Sequence, residues 1–268
     1  MKKFTTLKLE VKDHIGIITL DDAPRRNALS RRMVADLFDA LDASRNLGAR
    51  ALVIAASDPA FCAGANIDDL RDGWMEQADA RTDPAMLFQR LVEEDRIVIA
   101  AVQGPAVGGG FELTLACDLV IAEAHAWFAL PEVTRGVIPN TGLALLQHVV
   151  GTRQALHLVL SARRIQAQEA LQRGLVNEVV DTGTGAGRAQ ELAATIVANA
   201  PPGALRAAKR HLHLHANYDW NRVRGSVTDV PRAEWQEGLD AYTQKRETNF
   251  EPSWVSRQAA QASQGHSS

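Results

Sequence analysis

Three short runs of apolar residues constrain the fold of this chain more than any other feature. They cover residues 51–56 (ALVIAA), 97–102 (IVIAAV) and 119–122 (LVIA), and none of them alternates between polar and apolar positions. Such runs are typical of strands that are buried on both faces of a sheet. Segments with helical spacing lie between them, so the order of elements predicts an α/β core with right-handed crossovers.

Three further elements, two strands and a helix, are predicted before the first apolar run. Residues 4–11 alternate in the manner of a strand, and residues 15–20 are a second β-rich run after a turn at 12–14. Ser30 is a candidate N-cap for a helix that continues to about Arg45, because a stripe of apolar residues follows it at helical spacing.

The sequence becomes mainly helical from about Gln166. The candidate helices are 186–200, 205–216 and 232–245, with a Pro-Pro-Gly break at 201–203. From this change in pattern we expect three divisions of the chain: a core over residues 1–200, a C-terminal helical region over 201–254 and a loose tail over 255–268.

Composition narrows the possible classes of function. The formal net charge of -3 indicates neither a nucleic-acid surface nor a polybasic membrane anchor. The two cysteines, Cys62 and Cys117, lie in apolar sequence, which favours a reduced, cytoplasmic protein without disulfides. No apolar stretch reaches the roughly 18 residues of a membrane span, and residues 1–9 lack the apolar centre of a signal peptide. The histidine spacing predicts no metal site.

Two segments of small residues follow predicted strands. The segment FCAGANI covers residues 61–67, and GPAVGGGFE covers residues 104–112. Small side chains let a ligand approach the backbone closely, and glycines at a helix start leave N–H groups free to hold an oxygen that becomes anionic. Neither segment has the spacing of a dinucleotide fingerprint or a P-loop. An ordinary glycine-rich turn is the alternative for each of them.

Two glutamates stand in apolar sequence. Glu112 ends the second glycine segment, and Glu132 lies within FALPEV at residues 128–133. A buried carboxylate is costly unless it has a partner or a task, and two of them suit general acid/base chemistry through a water molecule. A surface or ion-paired glutamate is the alternative in both cases. Because Pro131 precedes Glu132 and Val133 follows it, we expect extended backbone at this position.

Taken together, these motifs resemble the crotonase (enoyl-CoA hydratase/isomerase) superfamily. The resemblance extends from about Lys8 to Phe250 and includes ACD at 116–118 and EGLDAYTQKR at 237–246, in the order found in that family. It implies an α/β fold, a spiral of ββα units with a C-terminal helical region, that assembles as a trimer or hexamer. It also implies a coenzyme A thioester as substrate, with no permanently bound cofactor.

The resemblance implies roles for individual residues. In the family two backbone N–H groups hold the thioester oxygen, and the matching positions are Ala63 and Gly109. Loss of one such donor costs roughly 3–4 kcal/mol in other enzymes. Glu112 and Glu132 match the two glutamates of the hydratases, so we expect Glu132 to protonate the α-carbon and Glu112 to help water attack the β-carbon. The positions that match coenzyme A contacts are Arg26, Ala28, Ala65, Ile67 and Lys245.

Two positions differ from the family pattern. Asn66 stands where many members have Asp. Asn140 stands where the hydratases have Gly and dienoyl-CoA isomerases have a proton-moving Asp; an amide cannot transfer that proton, but it can contact the substrate or water. The sequence predicts a 2-enoyl-CoA hydratase, with an isomerase or a hydrolase on the same scaffold as alternatives. A non-catalytic binding protein is the alternative from a different class.

Overall fold

The predicted apolar runs are adjacent strands of one sheet in the computed structural model, which describes residues 4–216 and 218–252. The strands of this six-stranded sheet, in their order across it, are β1 (Leu7–Lys12), β2 (Ile15–Leu20), β3 (Ala51–Ala56), β4 (Ile97–Val102), β6 (Leu119–Glu123) and β9 (Glu178–Val180). The first two strands are antiparallel, and every later neighbour in the sheet is parallel. The α/β class is confirmed.

A second, three-stranded sheet lies beside the first one. It consists of β5 (Ala106–Val107), β7 (Trp127–Ala129) and β8 (Ile165–Gln166). These strands have two or three residues each, which is too short to leave a periodic pattern in the sequence, and none of the three was predicted.

Twelve α-helices surround the sheets within the described ranges. They are α1 (Arg31–Asn46), α2 (Ile67–Arg71), α3 (Trp74–Gln77), α4 (Pro84–Val92), α5 (Gly109–Leu115), α6 (Asn140–Val150), α7 (Thr152–Ser161), α8 (Ala167–Gln172), α9 (Gly185–Asn199), α10 (Pro202–Ala216), α11 (Trp220–Gly225) and α12 (Arg232–Gln244). Three short 3-10 helices add to them at Ala23–Arg25, Glu132–Arg135 and Ser226–Asp229.

The N-terminal hairpin and the first helix agree with the sequence. Asp13 and His14 take left-handed backbone conformations, with φ of 50° and 65°, and turn β1 into β2. The side chain of Ser30 accepts a hydrogen bond of 3.0 Å from the N–H of Met33, so it caps α1 as predicted. The apolar stripe of α1 is buried in the main core.

Helices cover both faces of the large sheet. The face on the side of α1 carries the main core, whereas α9 lies against β3 and β4 on the opposite face through Ala189 and Ala193. Burial on both faces explains why β3 is apolar at successive positions, since neither side of the strand meets water.

The first strand of the small sheet, β5, joins the segment of residues 61–67 to the segment of residues 104–112. The N–H of Cys62 donates to the Pro105 carbonyl at 3.1 Å, and the N–H of Val107 donates to the Cys62 carbonyl at 3.0 Å. A methyl group on Gly110 would overlap the Cys62 carbonyl oxygen, so only glycine fits where α5 meets residues 61–66. This contact fixes the start of α5 against the loop that follows β3.

Three of the last four helices, α9, α10 and α12, were predicted closely, whereas α11 was not predicted. The Pro-Pro-Gly break is shorter than expected, because α10 begins at Pro202 and proline is well tolerated at the first helical position. The buried ammonium of Lys209 holds α10 on the core through Asp118 at 2.8 Å and the Arg96 carbonyl at 3.1 Å. The tail predicted over 255–268, and residues 253–254 before it, lie outside the described residues.

Within the described part of the chain, no helix combines the length and the apolar character required to cross a membrane.

Candidate active site

Two backbone N–H groups without acceptors in the described residues lie close together where residues 61–67 meet residues 104–112. The Gly109 amide opens α5, where the first N–H groups of a helix have no intrahelical partner. The Ala65 nitrogen lies 3.7 Å from the position that a methyl group on Gly109 would occupy. Among the described residues neither N–H has a hydrogen-bond acceptor. Both amides are therefore free to hold one ligand oxygen.

The pairing of residues 64–66 with Leu29 explains why the Ala65 amide is free. The N–H of Leu29 donates to the Gly64 carbonyl at 2.8 Å, and the N–H of Asn66 donates to the Leu29 carbonyl at 2.7 Å. Successive N–H groups of an extended segment point in opposite directions, so the Ala65 N–H points away from Leu29.

The prediction that Ala63 supplies a donor does not fit the structure. Its N–H already donates to the Arg26 carbonyl at 3.1 Å, and the residue is exposed. A substrate oxygen would have to displace this bond. The available pair is Ala65 with Gly109. The donor in the first motif therefore lies two residues after the expected Ala63.

Asn27, which the sequence analysis did not single out, holds the segment before α1 in place. Its buried amide donates to the carbonyls of Ser57 and Ala60 at 2.7 Å, and its oxygen accepts from the N–H of Asp22 at 2.8 Å. The signal in the sequence was an Asn within PRRNAL, because Asn tolerates the left-handed conformation found at this position, with φ of 54°.

The carboxyl of Glu112 is buried one turn into α5 and only 8 % of the residue is exposed. Its Oε1 accepts a hydrogen bond of 2.7 Å from the N–H of Gly142 at the start of α6. Burial raises the pKa of Glu112 to about 7, while hydrogen bonds from the N–H groups of Gly142 and Thr141 oppose that rise. A helix start thus holds this carboxyl in a fixed position.

Glu132 begins a 3-10 turn, so the prediction of extended backbone is wrong. The Pro131 carbonyl accepts hydrogen bonds from both the N–H and the hydroxyl of Thr134, which closes the turn. Gly136 ends the turn with φ of 67°, a conformation that favours glycine.

The Glu132 carboxyl points towards the glycine segment of α5. Its Oε1 lies 2.7 Å from the position of a methyl group on Gly108, and its Oε2 is buried without a hydrogen-bond partner in the described residues. Burial, aided by the nearby negative charge of Glu112, raises the pKa of Glu132 to about 8, and Arg135 partly offsets the rise. The two carboxyls are therefore close enough to affect each other's ionisation.

Asn140 is the first residue of α6, next to the amides that bind Glu112. Its Oδ1 is buried and has no hydrogen-bond partner in the described residues. A buried acceptor without a donor is costly, so a hydroxyl or amide group of a bound molecule would satisfy it.

The positions that match coenzyme A contacts fall into two places. Arg26 is exposed in a left-handed conformation, and its neighbour Ala28 is buried. The hydrogen bonds between residues 26–29 and 63–66 bring both of them beside Ala65 and Ile67. Lys245 is the exposed, left-handed residue that directly follows α12, and it makes none of these hydrogen bonds.

Other chemistries have little support at this site. Burial raises the pKa of the Cys62 thiol to about 12, so it stays protonated and is a poor nucleophile. In the described ranges no group of three or more His, Cys, Asp or Glu side chains is placed to hold a metal ion. Two free amides and two interacting carboxyls remain, an arrangement that can stabilise an oxyanion and move protons beside it.

Comparison with known proteins identifies the family. The sequence model of the family described as enoyl-CoA hydratase/isomerase matches residues 10–253. A Thermus thermophilus protein whose name contains enoyl-CoA hydratase is 36% identical over 89% of this chain and 98% of its own length. The 2,3-dehydroadipyl-CoA hydratase of Escherichia coli is 33% identical over 89% of this chain and 96% of its own length.

The fold agrees with the sequence match. The crystal structure of an enoyl-CoA hydratase from Mycobacterium avium subsp. paratuberculosis superposes with a TM-score of 0.80 at 25% identity, covering 92% of this chain and 99% of that one. The resemblance seen in the motifs is therefore confirmed, and the chain belongs to the crotonase (enoyl-CoA hydratase/isomerase) family of enzymes.

Proposed function

We propose that this protein adds water to the double bond of a 2-enoyl-CoA thioester. The observation that carries the proposal is the placement of two buried carboxyls with raised pKa values beside two unpaired backbone N–H groups. Hydratases named among the relatives support the same reaction class.

The amides of Ala65 and Gly109 form the oxyanion hole in this proposal. When the water oxygen bonds to the β-carbon, the electron pair of the double bond shifts through the α-carbon towards the thioester oxygen. That oxygen becomes an enolate, and donors already aimed at it lower the barrier without reorganisation. The thioester itself stays intact.

Glu112 and Glu132 divide the proton transfers. Glu112, whose carboxylate is stabilised by the N–H groups at the start of α6, accepts a proton from the attacking water. Glu132, whose Oε2 is buried without a hydrogen-bond partner among the described residues and whose pKa is raised by burial and by the charge of Glu112, delivers a proton to the α-carbon. Glu112 takes one proton from water and Glu132 gives one proton to the product. Transfer of one proton from Glu112 to Glu132 then restores both residues for the next turnover.

Coenzyme A binding is assigned to the surface next to the oxyanion hole. Arg26 offers a guanidinium for phosphate, while Ala28 and Ile67 offer small or apolar contacts beside Ala65. Lys245, the exposed residue that follows α12, is assigned to the coenzyme A of a neighbouring subunit, as the family resemblance implies.

Self-association as a trimer or hexamer is part of the proposal. Apolar side chains remain exposed on α6 and α7, including Leu156 at 52% and Leu160 at 67%. Such a cluster on one pair of helices is typical of a surface that another subunit covers.

Asn140 supports a second candidate, an isomerase or hydratase that acts on an acyl chain with a polar group. Its buried, unpaired Oδ1 would accept a hydrogen bond from a substrate hydroxyl or from the attacking water. A shifted double bond, or a preference for hydroxylated acyl chains that Asn140→Ala abolishes, would favour this candidate.

Neutralising either glutamate should stop hydration while leaving the fold intact. For Glu112→Gln and Glu132→Gln we expect kcat to fall by about 100- to 10,000-fold, because each variant removes one proton-transfer group. Loss of absorbance of the enoyl thioester measures the rate over a panel of short, medium and aryl 2-enoyl-CoA substrates. The exposed Glu10 gives the matched control, Glu10→Gln, which should retain the wild-type rate. Wild-type rates in either site variant would rule out the acid/base pair.

The rate should depend on pH in both directions. Below the Glu112 pKa of about 7 the base is protonated, and above the Glu132 pKa of about 8 the acid is ionised. We therefore expect kcat/KM to reach its maximum between these two values and to fall on both sides. Initial rates at constant ionic strength measure this pH profile. A maximum of kcat/KM at the acidic pH where ordinary exposed glutamates titrate would contradict the assignment.

The contribution of the Gly109 N–H can be separated from the effect of adding a side chain at this position. Gly109 is the first residue of α5, a position that tolerates proline, and proline has no N–H. Relative to Gly109→Ala, which keeps the amide, Gly109→Pro should lower kcat by about 100- to 1,000-fold. Circular dichroism checks that both variants fold. The added methyl group, 3.7 Å from the Ala65 nitrogen, is common to both variants, so the comparison requires that Gly109→Ala retain measurable hydration. Equal, measurable kcat values for two folded variants would remove Gly109 from the oxyanion hole.

A further inference from the structure

Helix α12 contacts the turn that carries Glu132 backbone to backbone. A methyl group on Gly238 would overlap the Arg135 carbonyl oxygen and lie 2.9 Å from the Arg135 Cα. In the same way, a methyl group on Gly136 would overlap the Glu234 carbonyl oxygen and lie 3.1 Å from the Trp235 nitrogen. Each glycine thus leaves room for a carbonyl of the opposite segment.

A third contact extends along the same face of α12. Residues 234, 238 and 242 are one turn apart and share one side of the helix. The guanidinium of Arg135 lies over the ring of Tyr242, 4.7 Å from its centre, in a cation–π arrangement. The turn is therefore held at Arg135 by both its backbone and its side chain.

The turn transmits this contact to Glu132. The N–H of Val137 donates to the Glu132 carbonyl at 3.1 Å, so residues 132–137 form one closed unit. A shift of Arg135 and Gly136 would consequently carry the Cα of Glu132 with it.

The two carboxyls differ in what holds them. Glu112 accepts a hydrogen bond from the Gly142 N–H, whereas Glu132 Oε2 has no hydrogen-bond partner among the described residues. The position of the Glu132 carboxyl depends mainly on its backbone turn. A change in the turn should therefore displace Glu132 and leave Glu112 in place.

We propose that α12, through the glycine contact at Gly238, is a positioning element that sets the location of the Glu132 carboxyl relative to Glu112. Gly238 touches no substrate and acts only through the turn. The inference rests on the proposed function, since it gives the C-terminal helix a role in proton delivery to the α-carbon.

The test combines kinetics with a crystal structure of Gly238→Ala. The added methyl must push the turn away from α12, and a displacement of about 1 Å at a reacting group lowers rates about 100-fold. We expect kcat to fall by that factor, because the oxyanion hole and the coenzyme A surface of residues 26–28 and 65–67 lie outside α12. A change in KM alone would reflect Lys245, which follows α12, and not Glu132. The structure should show Glu132 displaced and the Glu112 bond to Gly142 retained.

Two controls separate this effect from loss of folding. Gly203→Ala places a methyl group in α10 where nothing lies within 4 Å, and it should keep the wild-type kcat. If Gly238→Ala does not fold, Tyr242→Leu is the alternative, because it removes only the ring over Arg135 and should also lower kcat. Its control is Tyr242→Phe, which keeps the ring and should match the wild-type kcat.

Unmoved Glu132 in folded Gly238→Ala would overturn the inference, whatever the activity. A displaced Glu132 with wild-type kcat would also overturn it, provided that Glu132→Gln is inactive. If the wild-type protein hydrates no 2-enoyl-CoA, the proposed function fails, and the inference is then decided by the displacement of Glu132 alone.

Discussion

The contact between residues 61–66 and the start of α5 is the constraint on which the site depends. Hydrogen bonds between Cys62 and the strand at 105–107 bring the two segments together, and Gly110 leaves room for the Cys62 carbonyl. Because this contact is made by backbone atoms, it holds the Gly109 amide close to the Ala65 amide. The proposed oxyanion hole is thus a consequence of how the parallel strands end and not of any polar side chain.

The acid/base pair that we propose depends on a different physical effect. Both carboxyls are placed where water is largely excluded, so desolvation raises their pKa values into the working range of a proton donor and acceptor. Glu112 is held by the amides at the start of α6, whereas Glu132 relies on a closed turn packed against α12. The C-terminal helix therefore contacts, through its backbone, the turn of residues 132–137 that carries the proposed acid.

The main strands and α1 were predictable because their signals are local. Continuous apolar runs follow from burial on both faces, and Ser30 caps α1 with its own side chain. Ala63 was chosen wrongly because the choice depends on Leu29 and Arg26, which decide by long-range hydrogen bonds which amide remains free. The turn at Glu132 and its contact with Gly238 join residues about a hundred positions apart, so no local pattern could reveal them.

The most direct test of the central claim is the mass of the product formed in heavy-oxygen and deuterated water. Hydration predicts an intact thioester with one heavy oxygen on the β-carbon and one deuterium on the α-carbon. A free acid that contains the heavy oxygen would show hydrolysis, and a shifted double bond without heavy oxygen would show isomerisation. Either of those products, with no hydrated thioester, would contradict the account.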